Sequence, residues 1–300
     1  MTKSQNRNLS DPHRAGFFKG FADYWWGAYT RIKVIKHDVL TPKFAPGESL
    51  TIAIVSDIHA DARFMPLSRV AEVVEKTNAL KPDLIYMGGD LRAQDNRWMT
   101  PEPLPALVEV LSELRAPFGV FATTGNHDWW DDKATQRRES SEPECVPLLR
   151  AAGMTVLRNE AVQLDHPSHI WIAGIDSQWA YEGKRRDHCS AHDLDAALHD
   201  VPFEAFGLLL AHEPDIFPKL PKRDLNGPID LVLSGHTHGG QIKIFDTRPV
   251  IPSHYGRRYA YGHRIEEGRD LVVSAGLGCS LVPLRFGVMP EITLVTVRRG

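Results

Sequence analysis

Residues 50–59 read LTIAIVSDIH. From Leu50 to Val55 the run is apolar except for Thr51, and it ends in Asp57 and His59. A short, β-branched run without alternation is the pattern of a strand buried on both faces. The same form recurs along the chain as DLIYMGGD (83–90), FGVFATTGNHD (118–128), IWIAGID (170–176), FGLLLAHE (206–213), IDLVLSGHTH (229–238) and DLVVSAG (270–276). Between the first strands lie helical patterns. Pro66 can open one, with Leu67, Val70, Ala71 and Val74 on one face, and Leu104, Leu107, Val108, Leu111 and Leu114 mark another. Alternating β and α elements predict a layered α/β fold.

The bulk properties narrow the class. The chain has 300 residues, 42% hydrophobic and 24% charged, which is ordinary globular composition, and it is long enough to fold without staples. A net charge of -3 argues against a nucleic-acid binder. Cys145, Cys189 and Cys279 are odd in number and far apart, so a disulfide framework and a thiolate zinc site are both disfavoured and a reducing, cytoplasmic setting fits. No window is apolar for long enough to span a membrane, and Lys19 and Asp23 break the N-terminal apolar stretch that a signal peptide would need. The expected organisation is an N-terminal segment over residues 1–45, aromatic, basic and partly disordered, followed by one domain over 46–300. Residues 176–193 are polar and long enough for an inserted loop.

Almost every apolar run stops at a residue that can bind a metal. The strand ends carry Asp57 and His59, Asp90, Asn126 with His127 and Asp128, His212, and His236 with His238. In open α/β sheets, ligands bind beyond the carboxyl ends of strands. Each motif alone has a bland reading as a turn or a satisfied core histidine. Five strand ends that all deliver oxygen or imidazole donors to one rim are hard to assign to turn chemistry. Carboxylate, amide and imidazole without thiolate suit manganese, iron, zinc or cobalt, and seven donors suit two ions sharing a carboxylate.

The ordered set DIH, GD, GNHD, AH and GHTH resembles the calcineurin-like metallophosphoesterases. The extended GHTHGGQI and the closing GLGCSLVPLRFGVMPEITLVTV (276–297) look like a bacterial branch that includes phosphodiesterases and relatives acting on a lipid-linked UDP sugar. The resemblance covers about residues 48–297. It implies a four-layer αββα sandwich of two mixed β-sheets flanked by helices. It also implies that Asp57, His59 and His238 hold one divalent ion, that Asn126, His212 and His236 hold a second, and that Asp90 bridges them. His127 would face the substrate, with Asp128 orienting it. Ala93 stands where the purple acid phosphatases of the superfamily place a tyrosine, which favours two divalent ions such as manganese over a ferric-tyrosinate centre. His236 and His238 would face different ions, with Thr237 pointing away as in an extended segment.

The implied chemistry is hydrolysis of a phosphodiester or pyrophosphate by direct attack of a hydroxide bridging the ions, with His127 as proton donor. The alternatives are a phosphomonoesterase or protein phosphatase, for which Arg63, Arg92, Lys184, Arg185 and Arg186 are candidate substrate cations, and a non-catalytic scaffold. Trp129, Trp130, Trp179 and Tyr181 are candidates for lining the pocket or for packing. Residues 17–29 hold Phe17, Phe18, Phe21, Tyr24, Trp25, Trp26 and Tyr29, with Lys19, Arg31, Lys33 and Lys36 in or just after them. This composition fits a peripheral contact with the inner face of a membrane through residues 17–36, and so a lipid-linked substrate. Spacing by fours also fits a helix packed on the domain.

Overall fold

The computed structural model describes residues 31–182, 189–221 and 227–300. Two six-stranded sheets form its centre. The first runs in the order β1 (Lys33–Thr41), β12 (Glu291–Arg299), β2 (Ser49–Val55), β3 (Leu84–Met87), β4 (Val120–Ala122) and β5 (Thr155–Val156). The second runs β10 (Gly262–Glu266), β11 (Arg269–Val273), β9 (Leu231–Ser234), β8 (Phe206–Leu210), β7 (Ile170–Gly174) and β6 (Glu160–Leu164). Both sheets are mixed. β12 lies antiparallel to β2, while β2, β3, β4 and β5 are parallel; β10 and β6 are the antiparallel edges of the second sheet.

Side-chain alternation builds three apolar layers from these strands. Ile52, Ile54, Leu84 and Tyr86 face Leu208, Leu210, Leu231 and Leu233 between the sheets. Ala53, Val55, Ile85 and Met87 point the other way, onto α1 (Leu67–Ala79), α2 (Leu104–Leu111) and α5 (Cys145–Ala151). Leu209, Val232 and Leu271 cover the far side of the second sheet, against α6 (Leu194–Leu198) and the 3-10 turn Pro214–Lys219. The four-layer αββα sandwich is therefore present. Runs such as LTIAIV read as continuously apolar because each strand is covered on both faces.

Local chemistry explains the helix starts. Pro66 precedes α1, and the first backbone N–H, that of Leu67, donates to the Glu102 carboxylate at 3.2 Å. Pro103 precedes α2, whose Leu104, Leu107, Val108 and Leu111 are buried. α2 ends at Leu111, one turn before the expected Leu114.

Two expectations are corrected. β1 lies inside the segment assigned to residues 1–45, yet it pairs with β12 along its whole length, from Lys33 opposite Glu291 to Thr41 opposite Arg299. The folded domain thus reaches back to the start of the described residues. The stretch after β4 is not extended: Asn126–Trp130 is a short helix, α3, and Lys133–Gln136 forms α4. Lys184, Arg185, Arg186 and residues 17–30 lie outside the described residues. In the expected 176–193 loop, Tyr181 and Cys189 exchange backbone hydrogen bonds. The three cysteines are free. Among the described residues no helix is long and apolar enough to cross a membrane.

Candidate metal centre

The ends of β2, β3, β4, β8 and β9 converge on one rim. Asp57, His59, Asp90 and His238 bring a donor atom each within 4.8 Å of one another, and Asp90, His212 and His236 do the same. Asp90 belongs to both groups. Its Oδ2 lies 3.4 Å from His59 Nε2 and 3.3 Å from His212 Nε2, while Asp57 Oδ1 lies 3.5 Å from His238 Nε2. His59 Nε2 and His238 Nε2 face each other at 3.2 Å. Every one of these side chains is buried.

The backbone is bent to make this possible. Asp57, His59, Asp90, His236 and His238 all have positive φ, between 42° and 68°. Residues other than glycine seldom sit there, and such strain persists where the surroundings over-determine it. His236 and His238 are consequently not in an extended segment, and Thr237 between them is helical. Thr237 does turn away from the donors, but because its hydroxyl donates to the Ala260 carbonyl at 2.7 Å. Close approach accounts for two of the glycines. A Cβ on Gly125 would fall 2.3 Å from Asp90 Oδ1, and one on Gly235 would fall 2.3 Å from Asp57 Oδ2.

The electrostatics suit cation binding. Burial, followed by the charge of His212, depresses the basicity of His236; burial, followed by His59 and Arg285, does so for His238. Both therefore offer neutral imidazoles. Burial raises the Asp57 carboxyl. Burial also acts on Asp90, but His212 and then His127 outweigh it and hold that carboxyl well below the usual range. His212 Nδ1 contacts the Gly88 carbonyl, which orients Nε2 toward Asp90. Asn126 Oδ1 and His236 Nε2 are buried polar atoms without a hydrogen-bond partner. Leaving such atoms unpaired costs about 1–3 kcal/mol each, so a ligand that takes their lone pairs is strongly favoured. The residues fit oxygen- and imidazole-coordinated divalent ions.

Asp128 does not touch His127. Its carboxylate accepts from the backbone N–H groups of Asp90 at 2.9 Å, Leu91 at 3.0 Å and Gly125 at 2.8 Å, and so ties the β3 and β4 ends together. The carboxylate beside His127 is Asp131, one helical turn on, with Oδ2 3.3 Å from Nδ1. Burial works against charge on His127, but Asp90 and then Asp131 outweigh it and raise its pKa. Ser280 Oγ lies 3.4 Å from the other ring nitrogen. Arg92 is paired with Glu144. Trp129 is buried, donates to Thr124 and packs on Tyr181, whereas Trp130 and Trp179 face the site.

The motifs did not reveal Asp131 or Arg285. Arg285 is fully buried, donates to the carbonyls of Gly278 and Ala275, and places Nη2 3.2 Å from His238 Nδ1. Its signal was the arginine inside the closing 276–297 stretch. For Asp131 the signal was its four-residue spacing from His127, visible once Asn126–Trp130 is read as helix.

A cleft of about 340 Å³ opens on these donors. Asp90, Asn126, His127, His236 and His238 lie at its floor, and its walls are formed by Trp130, Trp179, Ile242, Val250, Leu281 and Val282 among others.

Buried carboxylates and imidazoles, joined through one aspartate at the rim of a two-sheet sandwich, place the protein among the metal-dependent phosphoester hydrolases. The chain belongs to the calcineurin-like phosphoesterase family, whose sequence model matches residues 50–240. It is 30% identical over 290 residues to the uncharacterized metallophosphoesterase YkuE of Bacillus subtilis (strain 168), covering 95% of this chain and 93% of that one. It is 30% identical over 280 residues to an uncharacterized metallophosphoesterase of Aquifex aeolicus (strain VF5), covering 91% and 96%. Against the phosphodiesterase YaeI of Escherichia coli (strain K12) it is 32% identical over 251 residues, covering 81% and 80%.

Proposed function

We infer that the protein hydrolyses a phosphodiester or pyrophosphate bond in a substrate with an apolar, lipid-like part. The observation that carries this reading is the cleft whose floor is the donor set and whose walls are apolar. A phosphoryl group at the floor would leave its attached group against Trp130, Trp179, Ile242 and Val250. Such a wall stabilises a hydrocarbon chain by about 25 cal/mol per Å² removed from water.

Asp57, His59, Asp90 and His238 would hold one divalent ion, and Asp90, Asn126, His212 and His236 a second. Manganese is the favoured metal, in keeping with an oxygen- and imidazole-rich donor set. When bound, the two ions supply the nucleophile at neutral pH and neutralise charge on the phosphoryl oxygens. His127, whose pKa Asp90 and Asp131 raise against burial, would donate its Nε2 proton to the leaving oxygen. Asp128 positions Asp90 through the backbone. The odd, scattered cysteines of the sequence support a cytosolic setting for the enzyme.

The test is a panel of aryl monoesters, aryl diesters, cyclic nucleotides and nucleotide-diphospho-lipids, assayed with the manganese-loaded protein. Diesters and acylated pyrophosphates are expected to lead. A preference for monoesters, indifferent to any apolar group, would instead identify a phosphomonoesterase or protein phosphatase.

A further inference from the structure

The mouth of the cleft is built by two loops, residues 242–252 and 280–286, that are stitched together by hydrogen bonds. The Lys243 backbone N–H donates to the Phe286 carbonyl at 2.6 Å, and that of Phe286 donates to Gln241 at 3.0 Å. The Gln241 side chain donates to the carbonyls of Ser280 at 3.1 Å and Val282 at 3.0 Å. Its Oε1 accepts from the Ser280 N–H at 2.8 Å. The loops are therefore one unit, and Asn96, two residues before the exposed Trp98, reaches it through the Leu281 carbonyl at 3.5 Å.

The outer side of this unit carries several large apolar side chains, beside the exposed Asp246 and Thr247. Phe245 is 87% exposed, Val250 67% and Leu281 60%, with Ile244 and Leu284 also exposed. Single exposed apolar residues need no explanation, but a contiguous group at the mouth of a site does. The backbone adds a second observation. Phe245 and Leu281 have φ of 54° and 63°. These are turn positions where glycine or asparagine is at ease and a large side chain is strained. At both, a bulky apolar residue stands in the strained position and points into solvent.

We propose that this rim is a lipid-bilayer docking surface, in which Phe245 and Leu284 enter the apolar layer and the cleft mouth is held against the membrane. The proposal rests on the reading of the cleft as the seat of an apolar-tailed phosphoester. A bilayer fits better than a protein partner because the apolar group is carried on loop tips rather than on a flat face of sheet or helix. Such tips suit a deformable fluid more than a rigid, complementary face. Continuity supports the same occupant: the walls of the cleft run into the rim through Val250, Leu281 and Val282, so an acyl chain could pass from bilayer to site without crossing water. The chain path also agrees. β1 begins at Lys33 beside Pro290, so the edge strand of the first sheet starts at this same end.

The test is flotation of the full chain with unilamellar vesicles of phosphatidylcholine and phosphatidylglycerol in equal parts. The comparison is the double variant Phe245→Asp, Leu284→Asp. Neither residue lines the cleft, and aspartate tolerates the backbone at 245 better than phenylalanine does. The native chain should float. The variant should partition at least about a hundred-fold less, the factor expected for losing two buried apolar side chains at about 1.5–3 kcal/mol each. It should retain turnover of bis(4-nitrophenyl) phosphate in solution. Equal flotation of both proteins, or of neither, would overturn the proposal. A native dimer that the double variant splits, seen by light scattering, would do the same in favour of a second copy as occupant. If neither protein hydrolyses the soluble diester, the reading of the site fails on its own, and flotation still decides the surface.

Discussion

His127 and Asp131 stand one helical turn apart on α3 and its C-terminal cap, with Nδ1 3.3 Å from Oδ2. Neighbouring Asp128 turns the other way, to three backbone N–H groups. One short helix thus presents two carboxylates with separate tasks, one toward the proton donor and one toward the frame of the metal site.

These tasks separate on mutation. Asp131→Asn should keep its ions and its stability but lose about ten-fold or more on alkyl esters, part of the roughly 10²- to 10⁴-fold that a positioned acid contributes. Aryl esters, whose leaving group needs little protonation, should be spared. Asp128→Ala should instead lose about 3 kcal/mol or more, since it leaves three buried N–H groups without an acceptor at about 1–3 kcal/mol each. Urea denaturation and a pair of alkyl and aryl substrates measure both. Equal ester losses in Asp131→Asn would remove its positioning role.

The pH profile follows from the raised pKa of His127, which Asp90 and Asp131 bring about against burial. The acid works protonated, so kcat should fall as pH rises through a value above 6.5. Asp131→Asn removes one of the two carboxylates that raise it and should move this limb toward lower pH. His127→Asn should abolish the limb while retaining metal. A basic limb that persists unchanged in His127→Asn would assign it to another group.

Asp90 is common to both donor groups, so Asp90→Ala should lower bound metal more than His212→Ala or His238→Ala. Each of these histidine changes removes a donor from one group alone. Metal per chain, measured by mass spectrometry after dialysis against a weak chelator, ranks the three variants. An Asp90→Ala protein with native metal content would mean that the two groups bind independently of the shared carboxylate.

His37 gives a prediction about stability alone. Burial, with the nearby His263, lowers its pKa from 6.5 to about 4, and its Nε2 has no hydrogen-bond partner. The unfolded chain takes up this proton below about pH 6.5, while the folded one does so only near pH 4. Stability is therefore unaffected above 6.5 and is progressively lost as pH falls through this window. His37→Gln should melt with a smaller drop in Tm between pH 7.5 and pH 5.0 than the native chain. An identical drop would show that His37 is not the group responsible.

The metal site was legible because its carriers are. Leu50–Val55 and Leu231–Ser234 declare themselves as buried strands, and the residues that follow each belong to the few types that bind metals. β1 was not legible. Its burial alternates, it carries Lys33, Lys36, His37 and Asp38, and its partner β12 lies at the other end of the chain. The task of Asp131 falls to Asp128 in the sequence because GNHD reads as an extended strand end, in which the adjacent carboxylate looks nearest. A helix brings the residue four positions on to the same face instead. The rim was hidden for a different reason. Phe245 and Leu281 occupy left-handed turn positions where local chemistry predicts glycine or asparagine, so nothing local marks either as a loop tip.

β12 has a consequence for how the molecule comes into being. It is the last of the described strands, yet it sits between β1 and β2 rather than at an edge. On the ribosome, β2, β3 and β4 emerge long before the strand that joins β1 to them. The Glu291 carboxylate, at the head of that strand, contacts Tyr261 and Thr293 beside the rim. Non-local pairing of this kind is slow to form, and its partners stay exposed until it does. The donors at the ends of β2, β3 and β4 therefore depend on a strand made long after them, and β12 must be synthesised and paired before the sheet that carries them is whole.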